Sequence, residues 1–301
     1  MMGLALVAAF VPVRSAAAER PGEAAPKIVT TDYDLRGFDG IDASWVYKIE
    51  LTQSSRYAVR VEAPDFIVPY LRIDVSGDRL RLSCKPLSRS LQRKMNREEV
   101  RVCVSMPDLS YLELSGAARL QSKGTFRNRR GNFKMDLSGA VNVIGLEVVA
   151  ENARIDCSGA AKFSFAGDFD TMDMEYSGAV KGTMDATAKK VFLDVSGAAN
   201  LDLALNAETV VIGGSGAGDI SLAGKADQLK AEGSGAMKIY AEKMPVQHAK
   251  VDLSGASMVR VNATHTLDVD LSGASHCRYR DNPGLRISRS TVARGSSLTA
   301  F

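Results

Sequence analysis

Carboxylates recur at one fixed place in this sequence, two residues before a Ser-Gly pair. They form an acid column: Glu113, Asp136, Asp156, Glu175, Asp194, Glu232, Asp252 and Asp270. Carboxylate oxygens are ligands for hard cations such as Ca²⁺, and they accept hydrogen bonds from the hydroxyl or ammonium groups of a polymer. Two carboxylates about 5 Å apart would also suit a retaining glycosidase. No pair stands out from the others, so catalysis is the least favoured interpretation.

The Ser-Gly pairs are themselves a series, and each is followed by Ala. We call their serines the serine ladder: Ser115, Ser138, Ser158, Ser177, Ser196, Ser215, Ser234, Ser254 and Ser272. Gly permits a tight corner, and a serine hydroxyl can bond the turn backbone or the same position in a neighbouring repeat. The serines are therefore predicted to be structural turn residues.

The spacing of the ladder predicts the fold. Successive serines lie 18 to 23 residues apart, most often 19 or 20, and apolar residues alternate with polar ones on both sides of each corner. A short fixed period with alternating strands is typical of a solenoid. The fold class is therefore all-β, a parallel β-helix in which each strand pairs with its equivalent one coil along.

Stacked acids repel one another, so something must neutralise them. A second series of mostly basic residues, four after each serine, includes Arg119, Lys162, Lys181 and Lys238. Neutralisation by this far polar column, across the corner, is the simplest interpretation. Binding of Ca²⁺ or of a cationic or hydroxyl-rich polymer is the alternative. No cofactor is otherwise expected.

The ends of the 301-residue chain carry different signals. An apolar run from Leu4 to Val13 precedes Ala16-Ala17-Ala18, which predicts a signal peptide over 1–18 and export to the periplasm, the envelope or the medium. No other segment is apolar enough to cross a bilayer. A formal net charge of +3 does not favour nucleic acid as a partner.

The cysteines leave the redox state open. Cys84 ends one alternating stretch, Cys103 lies in another, and a polar loop separates the two stretches. The two cysteines are therefore a candidate disulfide in an oxidising compartment. Cys157 and Cys277 occupy apolar positions and are predicted to be buried. The charged run over 85–99 is predicted to be a solvated loop or short helix.

Several ordered segments resemble the bacterial head-GIN-domain family, described as putative autotransporter adhesins. They are "GFDGIDAS", "YKIELTQ", "VEAPDFIVPYLRIDVSGDRLRLS", "VRVCVSMPDLSYLELSGAARL" and the Ser-Gly-Ala series, over roughly residues 35 to 280. The resemblance implies a right-handed β-helix, a secreted or envelope location and adhesion. It brings no catalytic residues.

These observations define the expected organisation and function. A linker over 19–34 leads to one β-helix domain over 35–301, with N-terminal coils and cap at 35–110, repeat coils at 111–285 and a C-terminal cap at 286–301. The expected function is a non-enzymatic, exported, adhesin-like module that presents polar columns to a polysaccharide, cell-surface or envelope component. A scaffolding rod with a protein partner is the alternative, and a polysaccharide lyase or hydrolase is less favoured.

Overall fold

The computed structural model describes residues 26–128 and 131–301. It is 72% strand and 4% helix, and it forms a β-solenoid of about 10 turns, as the repeat predicted. The predicted signal peptide, residues 1–18, lies outside the described residues.

The strands follow in chain order, and most of the helical residues lie in α1. The N-terminal elements are β1 Ile28–Tyr33, β2 Gly40–Trp45, β3 Tyr47–Gln53, β4 Ala58–Pro64, a 3-10 turn Val68–Tyr70, β5 Leu71–Ser76, β6 Arg79–Cys84, α1 Arg89–Met95 and β7 Val100–Met106. The coils are then built from β8 Tyr111–Gly116, β9 Arg119–Lys123, β10 Thr125–Arg127, β11 Asn132–Leu137, β12 Ala140–Val149, β13 Asn152–Cys157, β14 Ala160–Tyr176, β15 Ala179–Val195, β16 Ala198–Gly214, β17 Ala217–Gly233, β18 Ala236–Leu253, β19 Met258–Leu271, β20 His276–Tyr279, β21 Arg286–Val292 and β22 Ser297–Ala300.

The core is a set of stacked apolar columns inside the solenoid. From β8 onward every pairing between coils is parallel, so equivalent residues stack one strand spacing, about 4.8 Å, apart. Leu193, for example, lies between Met174 and Ile212, and all three are fully buried. Burying each such side chain stabilises the fold by about 1.5–3 kcal/mol. Outward residues alternate with inward ones, which fixes the register of the polar columns.

The Ser-Gly-Ala corners need glycine for two different reasons. Gly139 has a φ of 82°, a conformation that residues with a Cβ rarely adopt. Gly178 lacks a positive φ, but a Cβ there would lie 2.0 Å from the carbonyl oxygen of Gly159 in the coil below. In the middle of the rod, glycine is therefore required by the close stacking of one corner on the next.

The N-terminal end does not follow the order of the chain. The β2–β3 coil pairs with β8 and β9 on one side and with β6 and β7 on the other. Strand β4 pairs antiparallel with both β1 and β7, and β5 pairs antiparallel with β6. Residues 28–33, predicted as part of a linker, therefore form a strand of the cap. Helix α1 confirms the short helix predicted within 85–99 and begins after Ser88, whose side chain accepts a bond from the Leu91 N–H.

The candidate disulfide between Cys84 and Cys103 is wrong, since all four cysteines are free thiols. The sequence suggested that their strands were neighbours, but β6 pairs with β2 and β5, whereas β7 pairs with β3 and β4. Cys157 and Cys277 are buried, as predicted, and burial raises the pKa of each thiol to about 12.

Residues 286–301, predicted as a C-terminal cap, form part of one more coil. Strand β21 pairs with β19, and β22 pairs with β20, both parallel. Ile287 and Val292 continue inward-facing columns, but each is 40% exposed because no further described coil covers them.

Candidate functional site

The structure brings the acid column together as the sequence predicted. Glu113 lies beside Asp136, Asp136 beside Asp156, Asp156 beside Glu175, and Glu175 beside Asp194. In the next coil Gly213 takes the place of an acid beside Asp194. Beyond it, Glu232, Asp252 and Asp270 lie side by side in the same way. The eight carboxylates thus form one row along a face of the solenoid.

One member of this row escaped the sequence analysis. Asp42 lies beside Glu113 and extends the acid column by one coil. It also stands two residues before a serine, Ser44, but Trp45 replaces the glycine of the corner and pairs with Gly116. Trp45 adopts a φ of 113°, so the corner keeps its shape without glycine. The Asp-x-Ser spacing alone was the signal that could have found it.

The far polar column does not neutralise the acids, contrary to the simplest expectation. Its register is as predicted, with Arg119, Lys162, Lys181 and Lys238 on the other side of the corner. The ion pair recorded there is internal to that column, between Lys238 and Asp219 at 3.6 Å.

Neutralisation comes instead from the near column, which contains the residues two before each acid, and two before Gly213, on the same strand. Its members are Tyr111, Lys134, Arg154, Asp173, Phe192, Val211, Lys230, Lys250 and Asp268. Lys134 Nζ lies 2.8 Å from Asp136, and Lys230 Nζ lies 2.7 Å from Glu232. Residues two apart on a strand share one face, so strand geometry permits the pairing.

Arg154 links three carboxylates of two neighbouring coils of this face. Its guanidinium lies 3.1 Å from Asp156, 3.1 Å from Asp173 and 2.9 Å from Glu175. Even so, the pKa of Asp156 is raised, because burial and the charges of Asp136 and Glu175 outweigh the arginine. The raised pKa thus reflects crowding within a stacked row.

A tyrosine joins the N-terminal end of the row. The Tyr111 hydroxyl donates to Glu113 at 2.6 Å and to Asp136 at 3.0 Å. The Arg79 guanidinium lies 3.6 Å from the centre of the tyrosine ring, a favourable cation–π contact. Burial and the two carboxylate bonds raise the pKa of the Tyr111 hydroxyl, which therefore serves as a donor rather than a base.

The serine ladder lies beside the acids, but its hydroxyls do not bond the corners. No ladder hydroxyl has a hydrogen-bond partner among the described residues. The corners are held by main-chain bonds, such as the one from the Ser196 N–H to the Tyr176 carbonyl at 2.9 Å. Hydroxyl bonds to corner carbonyls are made by three other serines: Ser257 to Gly235 at 3.1 Å, Ser275 to Ser272 at 2.8 Å and Ser296 to Gly273 at 3.4 Å.

The acid column and the serine ladder together line a shallow groove, which we call the acid–serine face. One stretch runs past Asp156, Glu175 and Asp194, and the next runs past Asp194, Glu232 and Asp252, each with a volume of about 440 Å³. Carboxylates and free hydroxyls repeat along it at the strand spacing. Such a surface can bind a ligand that carries donors at a similar repeat.

Neither a metal site nor a membrane span is formed within residues 26–128 and 131–301. No three His, Cys, Asp or Glu side chains there come together in a way that could hold a metal ion. None of the helices in these ranges is long and apolar enough to span a membrane.

Comparison with protein families gives a match over most of the chain. The model of the "Putative auto-transporter adhesin, head GIN domain" family matches residues 37–187 and 177–283. The chain belongs to this family. The resemblance carried by the Ser-Gly-Ala series and the segments before it is thereby confirmed, and the acid–serine face is a surface of a head GIN domain.

Solved structures similar to this head GIN domain share its fold. One is a putative adhesin from Parabacteroides merdae ATCC 43184, at 16% identity, a TM-score of 0.54 and coverage of 91% of this chain and 96% of that one. Another is a putative adhesin from Parabacteroides distasonis ATCC 8503, at 17% identity, a TM-score of 0.51 and coverage of 92% and 98%. A search of curated proteins found no match.

Proposed function

We propose that this head GIN domain is a non-enzymatic binding module whose acid–serine face attaches to a polysaccharide or another surface component. The observation that carries the proposal is the row of serine hydroxyls without protein partners beside a row of carboxylates. Most of these serines are exposed, so their hydroxyls bond water in the free protein and can exchange that water for a ligand.

A polymer fits this face better than a compact ligand. The same pair of groups, one carboxylate and one hydroxyl, recurs in successive coils, about 4.8 Å apart. Each contact at such an exposed site contributes little, so affinity grows by engaging several coils at once. A chain of hydroxyl-rich units can do so, whereas a single unit cannot.

The location of the proposed activity is outside the cytoplasm. The adhesin description of the family and of a structurally similar protein supports export, as does the signal peptide predicted over 1–18. A role for Ca²⁺ is also part of the proposal. Because the described residues hold no preformed metal site, an ion would be bound between column carboxylates and oxygens of the polymer.

The test is binding of the chain without residues 1–18 to an array of glycans and cell-wall polymers, with Ca²⁺ and with a chelator. We expect selective binding that falls at least tenfold when Glu175→Gln and Asp194→Asn are combined. The matched control combines Asp185→Asn and Asp202→Asn, two exposed acids outside the acid column, and should bind as the parent does.

Three outcomes would change the conclusion. Equal binding by the two double variants would remove the acid–serine face from the proposal. Capture of one envelope protein without any glycan binding would favour the scaffolding rod. Turnover of a glycan would make the protein a lyase or hydrolase, with the stacked carboxylates as the first residues to replace.

A further inference from the structure

The middle of the acid–serine face differs from both of its ends. Towards the N-terminus the near column supplies Lys134 and Arg154, and towards the C-terminus it supplies Lys230. Between them it carries Phe192 and Val211, which stack on each other. Asp194, the acid next to Phe192, consequently has no cationic partner among the described residues.

The phenylalanine at this place is exposed to solvent. Phe192 retains 39% of its accessible surface although it lies within a strand that is paired on both sides. Its outward neighbours in the stack are Asp173 on one side and Val211 on the other. Phe192 and Val211 together form a small apolar patch on this face, and an exposed aromatic ring can receive the apolar side of a ligand.

The acid column is also interrupted at this place. Gly213 stands where the other coils carry a carboxylate, and the Asp194 Oδ2 atom lies 3.5 Å from the position that a Cβ of Gly213 would take. The carboxylate of Asp194 therefore faces the open space above Gly213. That space is part of the groove lined by Ser215, Glu232 and Ser234.

The exposed ring of Phe192, the unpaired carboxylate of Asp194 and the open space at Gly213 together match one kind of ligand. A pyranose ring packs its C–H face on an aromatic side chain, and its hydroxyls bond carboxylates and serines. Arg154 is already shared among Asp156, Asp173 and Glu175, and Asp194 makes no ion pair among the described residues. A cation on the ligand would neutralise that charge and is attracted by the phenylalanine ring as well.

We propose that the Phe192–Asp194–Gly213 site binds an amino-sugar unit of a glycan, with the sugar ring on Phe192 and the ammonium group on Asp194. This inference rests on the proposed function, because it names the ligand class at the centre of the same face. It also accounts for the interruption at Gly213, since a longer side chain there would fill the space taken by the sugar.

The experiment is calorimetric titration of the chain with a glucosamine hexamer and with its fully N-acetylated counterpart, which lacks the ammonium groups. We expect the glucosamine hexamer to bind at least tenfold more tightly than the acetylated one, with a preference that weakens as salt is added. Phe192→Ala and Asp194→Asn should each weaken binding at least tenfold. Gly213→Lys, which places a cation beside Asp194 and fills the gap, should abolish it.

Two control variants match these changes on other faces. Asp185→Asn removes an exposed acid on the same strand, and Ile144→Ala removes an outward apolar side chain that is 41% exposed. Both should bind the hexamer as the parent does, and far-UV circular dichroism identifies any variant that fails to fold.

Equal affinity for the two hexamers, or parent-like binding by Phe192→Ala and Asp194→Asn, overturns the inference. Absence of binding to the glucosamine hexamer also overturns it. If the protein then still binds another polymer of the array through the acid–serine face, only this inference fails. If it binds no polymer at all, the proposed function fails with it.

Discussion

Replacing Gly178 by alanine is the sharpest test of how the corners stack. Its added Cβ would lie 2.0 Å from the carbonyl oxygen of Gly159 in the coil below. That oxygen accepts the main-chain bond from the Ala179 N–H at 3.0 Å, which holds the two corners together. The methyl group and the hydrogen bond therefore compete for the same oxygen.

The size of the effect follows from these two contacts. Ordinary contact between non-bonded heavy atoms is about 3.5–4.0 Å, so the corner must open by more than 1 Å. Overpacking of this kind costs about 1–3 kcal/mol, and an unsatisfied main-chain group adds about 1–3 kcal/mol. We expect Gly178→Ala to lower the free energy of unfolding by about 2–6 kcal/mol. Little relief is available, because the corners above and below stack in the same way.

Urea denaturation followed by far-UV circular dichroism measures this loss, and Gly213→Ala is the matched control. A Cβ at Gly213 meets only the Asp194 carboxylate, at an ordinary 3.5 Å. The control should leave stability unchanged or raise it by up to about 1 kcal/mol, because alanine restricts the unfolded chain. A Gly178→Ala variant within about 0.5 kcal/mol of the parent, or no worse than the control, would refute the close-stacking argument.

Three further predictions concern single side chains. Ser177→Ala should change stability by less than about 0.5 kcal/mol, because the Ser177 hydroxyl has no described partner. Ser275→Ala should cost about 1 kcal/mol, because its buried hydroxyl donates to a corner carbonyl. Equal urea midpoints for the two variants would contradict this prediction. Burial above all raises the pKa of Asp156, so the folded protein binds that proton more tightly than the unfolded chain, and stability falls as the pH rises from 3.8 through the raised pKa. Asp156→Asn should flatten that part of the stability–pH curve, and an unchanged slope would count against the assignment. Cys157 and Cys277 should resist thiol labelling at neutral pH until urea unfolds the chain, since both are buried with pKa values of about 12; rapid labelling of the native protein would disagree.

The fold was predictable where the chain repeats itself. Alternating residues around Ser-Gly-Ala corners fix both the period and the outward face, so the neighbours of Asp156 followed from counting. The N-terminal end was not predictable in the same way. There β6 and β7 pair with the side of the β2–β3 coil that faces away from β8 and β9. A repeat in the sequence cannot predict such a pairing, because these strands do not stack in chain order. The same reordering separates Cys84 from Cys103.

The candidate site was predictable in its residues but not in its charge balance. Counting from the serines places Arg119 and Lys162 across the corner, and this suggested the wrong neutralising column. The pairing of Lys134 with Asp136 depends on two side chains of one strand leaning together, which spacing permits but does not require. The importance of Phe192 likewise appeared only when its exposed ring was seen beside Asp194.

The corner geometry also bears on how such a rod changes length. Strands β14, β15 and β16 pair in register from one Ser-Gly-Ala corner to the next without a bulge, and their coils are interchangeable in outline. Duplication of one 19-residue unit, such as Ser177–Val195, would add one step of about 4.8 Å and one more carboxylate–hydroxyl pair. Both ends of the molecule would stay as they are. The number of coils therefore sets both the length of the rod and the number of carboxylate–hydroxyl pairs that it presents.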